Sequence, residues 1–329
     1  MTSLRAGLLG LGVMGRNHAR VLQSMDGVEL VAAVDPDGDP HRAISGLPLM
    51  ASINELIEAD VHYAVVAVPT AFHLEIGLAL AAAGIHCLIE KPVADTAERA
   101  EQLVDAFAAE GLIGAVGHIE RYNPALQHAR ARLAAGELGD VYQIVTRRQG
   151  PFPGRIADVG VVKDLGTHDI DLTAWVAQSP YLSVSAHIAN RSGREHEDLV
   201  AFVGELDGGI VTNHLVNWLS PLKERITVIT GERGTLVADT LTADLTLYEN
   251  GTVASEWSAL ASFRGVSEGN RIRFAIPKPE PLRTEHEAFR DALLGLESDI
   301  VTLEQGLQTV RVAEAVLESA QTGKNVTVS

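Results

Sequence analysis

Over roughly the first 120 residues, short unbroken apolar runs alternate with stretches of helical periodicity. Residues 6–9 form an apolar run ending in glycines, and a helix is expected from there to about Met25. Further apolar runs occupy residues 28–34, 63–68, 85–89 and 112–118. Between them, 52–58 reads as a short helix. Thr70 is positioned to cap a helix that reaches Ala83 and stops at Gly84. Asp95 with Glu98 has the spacing of a capping box for a helix that Gly111 ends. Uninterrupted apolar strands between helices predict a parallel sheet covered on both faces.

After about Asn123 the pattern changes. A helix is expected over 125–135, a strand over 141–147, a Gly/Pro-rich loop over 150–154 and a helix over 164–177. From 182 to 256 the periodicity is that of strands: 184–189, 199–206, 210–218, 224–230, 235–238 and 245–248. Gly208-Gly209 and Asn250-Gly251 are the hairpin signals. Two helices, 282–294 and 303–322, close the chain. The expectation is an α/β N-terminal domain with a parallel sheet (residues 1–122), then an α+β domain with a large, mostly antiparallel open sheet (123–329). Alternate positions of 210–218 and 224–230 are apolar on both faces. One face of that sheet therefore needs a partner, and a homodimer or homotetramer through the sheet is expected.

A length of 329 residues fits two domains, and 46% hydrophobic residues suffice for a packed core. The net charge of −17 argues against binding a nucleic-acid backbone. No apolar stretch approaches the roughly 18–20 residues of a membrane span. The single cysteine, Cys87, rules out an internal disulfide and a Cys-rich zinc site, and a cytoplasmic setting is expected.

Gly10-Leu11-Gly12-Val13-Met14-Gly15 is a G-x-G-x-x-G between a strand and a helix, and Asp35 ends the next strand. In that context Gly10 permits the tight turn, Gly12 lets backbone approach a pyrophosphate, and Gly15 lets helix and strand pack closely. The helix N-terminus then faces the phosphates. Asp35 suits a ribose 2′-hydroxyl and repels a 2′-phosphate, so NAD is expected rather than NADP. The competing reading is a structural turn with a solvated aspartate. Lys91, where a parallel strand ends, can hydrogen-bond a substrate hydroxyl. Asp164 and His168 share one helix face, with Asp171 a further turn along, and such a histidine can accept a proton near neutral pH. A core histidine behind an N-cap aspartate would have the same spacing. No H-E-x-x-H occurs, and Glu195-His196-Glu197-Asp198 reads as a solvated loop, so no metal is expected.

The glycine loop, Pro69-Thr70-Ala71-Phe72-His73, Glu90-Lys91-Pro92 and Asp164-x-x-x-His168 together resemble the glucose–fructose oxidoreductase/inositol dehydrogenase/rhizopine catabolism (Gfo/Idh/MocA) family, over essentially the whole chain. The resemblance implies an NAD-dependent dehydrogenase with Lys91, His168 and Asp164 as catalytic residues. It further implies cofactor contacts from Gly10, Gly12, Val13, Met14, Gly15, Asp35, Val68, Pro69, Thr70, His73, Glu90 and Lys91. Three stretches, 117–124, 148–160 and 217–221, are similar to the UDP-N-acetylglucosamine 3-dehydrogenase subgroup, which oxidises a sugar hydroxyl to a ketone. They supply the expected substrate residues Glu120, Arg121, Asn123, Arg148, Arg155 and Trp218. Arg147, Arg148 and Arg155 form a cationic cluster suited to a diphosphate, and Trp218 could stack on a sugar or uracil. A solvated basic strand and a core tryptophan are the alternatives. Oxidation of a free sugar or polyol such as inositol, and a non-catalytic NAD sensor, are the competing functions.

Overall fold

The computed structural model describes residues 3–44, 46–154, 159–251 and 268–328. In chain order these form β1 (Leu4–Leu9), α1 (Val13–Leu22), β2 (Val28–Val34), β3 (Leu49–Met50), α2 (Ile53–Glu58), β4 (Tyr63–Val66), α3 (His73–Ala82), β5 (His86–Glu90), α4 (Ala97–Ala109) and β6 (Gly114–Gly117). Then come α5 (Pro124–Ala134), β7 (Val141–Pro151), α6 (Thr167–Ala177), β8 (Tyr181–Ala189), β9 (Leu199–Leu206), β10 (Val211–Asn217), β11 (Leu219–Gly231), β12 (Gly234–Asp239), β13 (Asp244–Asn250) and β14 (Glu268–Arg273). The chain closes with α7 (Pro281–Leu293), α8 (Leu303–Thr322) and β15 (Val326–Thr327).

The chain divides into two units, residues 1–119 with 279–311 and residues 120–278 with 312–329. The expected division after residue 122 lies three residues later than this one and leaves out the C-terminal return to the first unit. α7 and the first half of α8 return to the first unit, because Leu282, Phe289, Leu303 and Leu307 are buried in its two cores.

The first unit holds a parallel sheet in the order β3-β2-β1-β4-β5-β6. Apart from the edge strand β3, its strands are largely buried on both faces, as their unbroken apolar runs require. In β4, Tyr63 and Val65 enter one core while Ala64 and Val66 enter the other. The order reverses at β1, the place where ligands bind in doubly wound sheets. Two helix starts differ from expectation. Thr70 opens a single 3₁₀ turn, Thr70–Phe72, with no side-chain cap. Thr96, not Asp95, caps α4 through the Arg99 amide, and Asp95 instead pairs with the Arg99 side chain.

The second unit holds a sheet in the order β14-β13-β12-β11-β7-β10-β9-β8-β15. It is antiparallel throughout except for the β7–β10 pair. Gly208-Gly209 makes the tight β9–β10 hairpin, with Leu206 donating to the Ile210 carbonyl. Asn250-Gly251 does not, since the strand that pairs with β13 starts only at Glu268. Along β7, Ile144, Thr146 and Arg148 are buried while Tyr142 and Arg147 are exposed. Ile144 shares a core with α5 and α6, through Leu126, Leu172 and Trp175.

Candidate active site

In the first unit the sequence-predicted residues gather at the ends of β1, β4 and β5. Gly10 has a φ of +90°, and a β-carbon there would lie 2.6 Å from the Ala67 carbonyl oxygen. A β-carbon on Gly15 would overlap the Gly10 carbonyl oxygen, so helix and loop touch through bare backbone. Gly12, by contrast, borders open space. It is the N-cap of α1, with no side-chain cap and no acidic residue in the first turn. The free amides and the positive end of the helix dipole are thus presented to an anion, which fits a pyrophosphate. Asp35 accepts from the Leu11 amide through Oδ2 (2.6 Å) and from the Asp37 amide through Oδ1 (2.9 Å), which places its carboxylate against the glycine loop.

His73, expected among the cofactor residues, is 1% exposed. Its Nδ1 lies 3.0 Å from the Pro92 carbonyl and its Nε2 3.0 Å from the Val68 carbonyl. The ring thus lies between the loops after β4 and β5, and in its neutral form it donates to one of the two carbonyls. Burial pushes its pKa below the usual histidine value, against the pull of those carbonyls. Glu90 is likewise enclosed. Its Oε1 is 2.9 Å from His18 Nε2, and its Oε2 accepts from the Lys91 amide at 3.1 Å. Burial pushes the Glu90 carboxyl up, but His18 and Lys91 outweigh it and hold the group below the ordinary carboxylate range. Lys91 is half-buried, at the end of β5.

In the second unit, Asp164 and His168 lie on consecutive turns, but the first is a π-turn, Val162–Gly166, rather than part of a continuous α-helix. Asp164 is buried and His168 half-buried. The π-turn is pinned from a segment that sequence reasoning left as a solvated loop. Glu197 accepts from the Val162 amide at 3.0 Å through Oε1 and from the Val161 amide through its carbonyl. Asp198 is fully buried and accepts from the amides of Arg191 and Ser192. Acidic residues in a polar stretch look solvated in sequence, and only the amides they meet distinguish these.

Most of the expected substrate residues have partners within the second unit. Arg148 is 4% exposed and donates to Asp169 (2.7 Å) and to Glu120 (2.8 Å), so its fork and the Glu120 carboxylate already have internal partners. Arg121 is buried and donates to Asp171 from Nε and Nη2, at 2.8 and 2.6 Å. Asp171 is therefore committed to Arg121. Asn123 caps α5 through the Ala125 amide and donates to the Thr240 carbonyl. Trp218 is a core residue, edge-on to Phe152, rather than an exposed stacking platform. The cluster of Arg147 and Arg148 is split by the strand's alternation, with Arg147 outward and paired to Glu224. Arg155 lies outside the described residues.

Models of one family match both units: "Oxidoreductase family, NAD-binding Rossmann fold" over residues 4–118, and the "GFO/IDH/MocA C-terminal domain" over 126–237. Inositol 2-dehydrogenase 2 of Saccharopolyspora erythraea is 28% identical, over 99% of this chain and 96% of that protein. The UDP-N-acetylglucosamine 3-dehydrogenase of Acidithiobacillus ferrooxidans is 29% identical over 65% of this chain and 66% of its own length. Its crystal structure superposes with a TM-score of 0.85 at 25% identity, covering 98% of this chain and 99% of that one. The WlbA dehydrogenase of Bordetella pertussis, solved with NADH and UDP-GlcNAcA, shares the fold at 22% identity (TM-score 0.84, 100% and 98% covered). The open glycine loop, the two-sheet architecture and the matches to both units lead to one conclusion: the chain belongs to the Gfo/Idh/MocA family of NAD-binding oxidoreductases and is an enzyme of the dehydrogenase type.

Proposed function

We propose that the protein oxidises a sugar hydroxyl to a ketone, with NAD as hydride acceptor, and that the substrate is a nucleotide sugar of the UDP-N-acetylhexosamine class oxidised at its 3-hydroxyl. The observation that carries the chemistry is the placement of Glu90-Lys91-Pro92 at the end of β5, in the same sheet as the glycine loop that follows β1. The full-length likeness to the Acidithiobacillus enzyme supports the substrate class.

NAD, when bound, supplies a two-electron acceptor for the hydride on the carbinol carbon. Lys91 donates a hydrogen bond to the substrate oxygen and stabilises the negative charge that grows there. His168 accepts the hydroxyl proton, and Asp164, one turn earlier, orients the imidazole. Gly12, Val13 and Met14 offer backbone to the pyrophosphate, and Asp35 accepts from the ribose hydroxyl. Val68, Pro69 and Thr70 follow β4 and line the cofactor.

A second reading, oxidation of a free polyol, is favoured by the likeness to inositol 2-dehydrogenase 2 along 99% of the chain. The internal pairing of Arg148 also weakens the case for a diphosphate held there. We further propose that the protein self-associates through the outward face of its nine-stranded sheet, where Tyr142, Val203 and Val211 are exposed apolar residues. Val203→Glu should shift a dimer or tetramer toward monomer by light scattering.

The test of function is production of reduced nicotinamide with NAD and either UDP-N-acetylglucosamine or myo-inositol. Lys91→Ala and His168→Ala should each lower turnover by about 10²-fold or more, with NAD still bound. Turnover of inositol alone promotes the second reading. NAD binding without turnover on any sugar identifies a sensor instead.

A further inference from the structure

A buried chain of side chains runs away from Lys91 into the first unit, and the chemistry proposed above does not use it. His18, on α1, is fully buried; His286, on α7, is 1% exposed. His18 Nδ1 lies 2.8 Å from His286 Nε2, and the two rings meet edge to face at 5.0 Å. The other His18 nitrogen contacts Glu90, whose second oxygen receives the Lys91 amide. The carboxylate also packs closely on Gly117. A β-carbon there would come within 3.3 Å of Glu90 Cδ.

The donors can be assigned in order. Glu90, held below the ordinary range, is an ionised acceptor, so His18 Nε2 carries a proton. Burial, with His18 beside it, pushes His286 well below its usual value, so its ring is neutral. His286 Nδ1 has no partner among the described residues. A bare lone pair is cheaper to leave there than an N–H, so the proton sits on Nε2 and points at His18 Nδ1. Every bond then runs one way, from His286 to His18 to Glu90, while the Lys91 amide donates to Glu90 from the other side. The titratable groups that face Glu90 are His18, Lys91, His73 and Glu285. Burial, with Glu90 nearby, pushes Glu285 well above its usual range, which disfavours a second negative charge beside Glu90.

We propose that His18 is a positioning residue for the reaction. It keeps Glu90 ionised and fixed, so that Glu90 anchors the backbone of Lys91, and His286 sets the tautomer of His18. The inference rests on the dehydrogenase reading for its catalytic consequence and on the structure alone for the His18–Glu90 link. It ties α1, the helix whose N-terminus faces the glycine loop, to the lysine that meets the substrate.

Two substitutions separate this role from packing. The amide of Gln reaches the place of a histidine Nε2, and that of Asn the place of Nδ1. His18→Gln keeps the link to Glu90, and His18→Asn keeps only the link to His286. The full-length protein is compared by steady-state kinetics, by calorimetry with NAD, and by carbon NMR of carboxyl-labelled glutamates, with Glu90→Gln identifying the Glu90 signal. His18→Asn should lower kcat by about tenfold or more with NAD affinity within about threefold, and raise the Glu90 titration midpoint by about one pH unit. His18→Gln should stay within about threefold of wild type in kcat and leave the midpoint in place. If His18→Asn does not fold, Glu90→Gln should reproduce the loss of kcat. Equal behaviour of the Asn and Gln variants overturns the proposal, as does a shifted Glu90 midpoint with unchanged kcat. An inactive wild type overturns the dehydrogenase reading instead, and the Glu90 midpoint then decides the His18–Glu90 link by itself.

Discussion

The two units use polar groups in opposite ways. In the first, the nucleotide loop is made of backbone left open: Gly12 borders empty space, and no acidic side chain occupies the start of α1. In the second, the buried charges of the expected substrate residues pair with one another or with α6, Arg148 with Asp169 and Glu120, Arg121 with Asp171. A loop of glycines announces an open site because little else requires it. A run of arginines announces only that positive charge must be balanced, and a carboxylate from another strand or helix balances it as well as a phosphate does.

The sharpest way to break that comparison is Arg148→Ala. Removing the guanidinium strands two carboxylates, one of them deeply buried, and should cost about 3–5 kcal/mol in denaturant unfolding. A variant of native stability with only a raised KM for a UDP-sugar would restore the phosphate role to Arg148 and dissolve the contrast. On the other side, Gly15→Ala should lower stability by on the order of 2 kcal/mol or more, since backbone must move. Gly12→Ala should leave thermal unfolding unchanged while weakening NAD binding by about tenfold, through a blocked pyrophosphate contact. Similar stability losses in both would show that the loop is structural rather than open.

A third test concerns His214, which lies between Thr146 (2.7 Å) and Tyr181 (2.9 Å) in the second unit. Burial pushes its pKa down to about 3. The folded protein thus holds the ring neutral, while the unfolded chain takes up a proton below about pH 6.5. Stability is complete above that pH and falls as the pH drops from about 6.5 toward 3, by up to about 1.4 kcal/mol per pH unit. His214→Gln should flatten this acid limb in urea titrations at stepped pH, and an unaltered slope would remove His214 as its cause. The smallest effect is expected at the exposed Arg20–Glu280 pair of the first unit. Arg20→Ala should change stability by less than about 1 kcal/mol and less still in high salt.

Legibility in the sequence followed the range of the physics. Five of the six strands of the first sheet, all but β3, read correctly because a strand buried on both faces must be apolar throughout, and the Gly208-Gly209 hairpin read correctly because its positive φ values are a local demand. Asn250-Gly251 carried the same signal, yet β13 finds its partner only at residue 268. The two-residue strands β3 and β15 had no periodicity long enough to register, and the polar β14 had no apolar alternation to show. Arg147 and Arg148 looked alike, but alternation along β7 sends one outward and the other against α6.

By itself, the sequence determined that a parallel sheet would precede an antiparallel one, that a dinucleotide loop would sit after the first strand, and which lysine and histidine were candidates for the chemistry. Each of these rests on spacing within a few residues, where propensity, periodicity and glycine geometry act. Only the tertiary structure decided the partners: His18 for Glu90, His286 for His18, Glu197 for the turn before His168, Asp169 for Arg148 and Asp171 for Arg121. Those pairs join residues from about 20 to more than 260 positions apart. A charge buried by folding must find its counter-charge or hydrogen bond wherever the chain brings one, and no local rule encodes which distant residue that is.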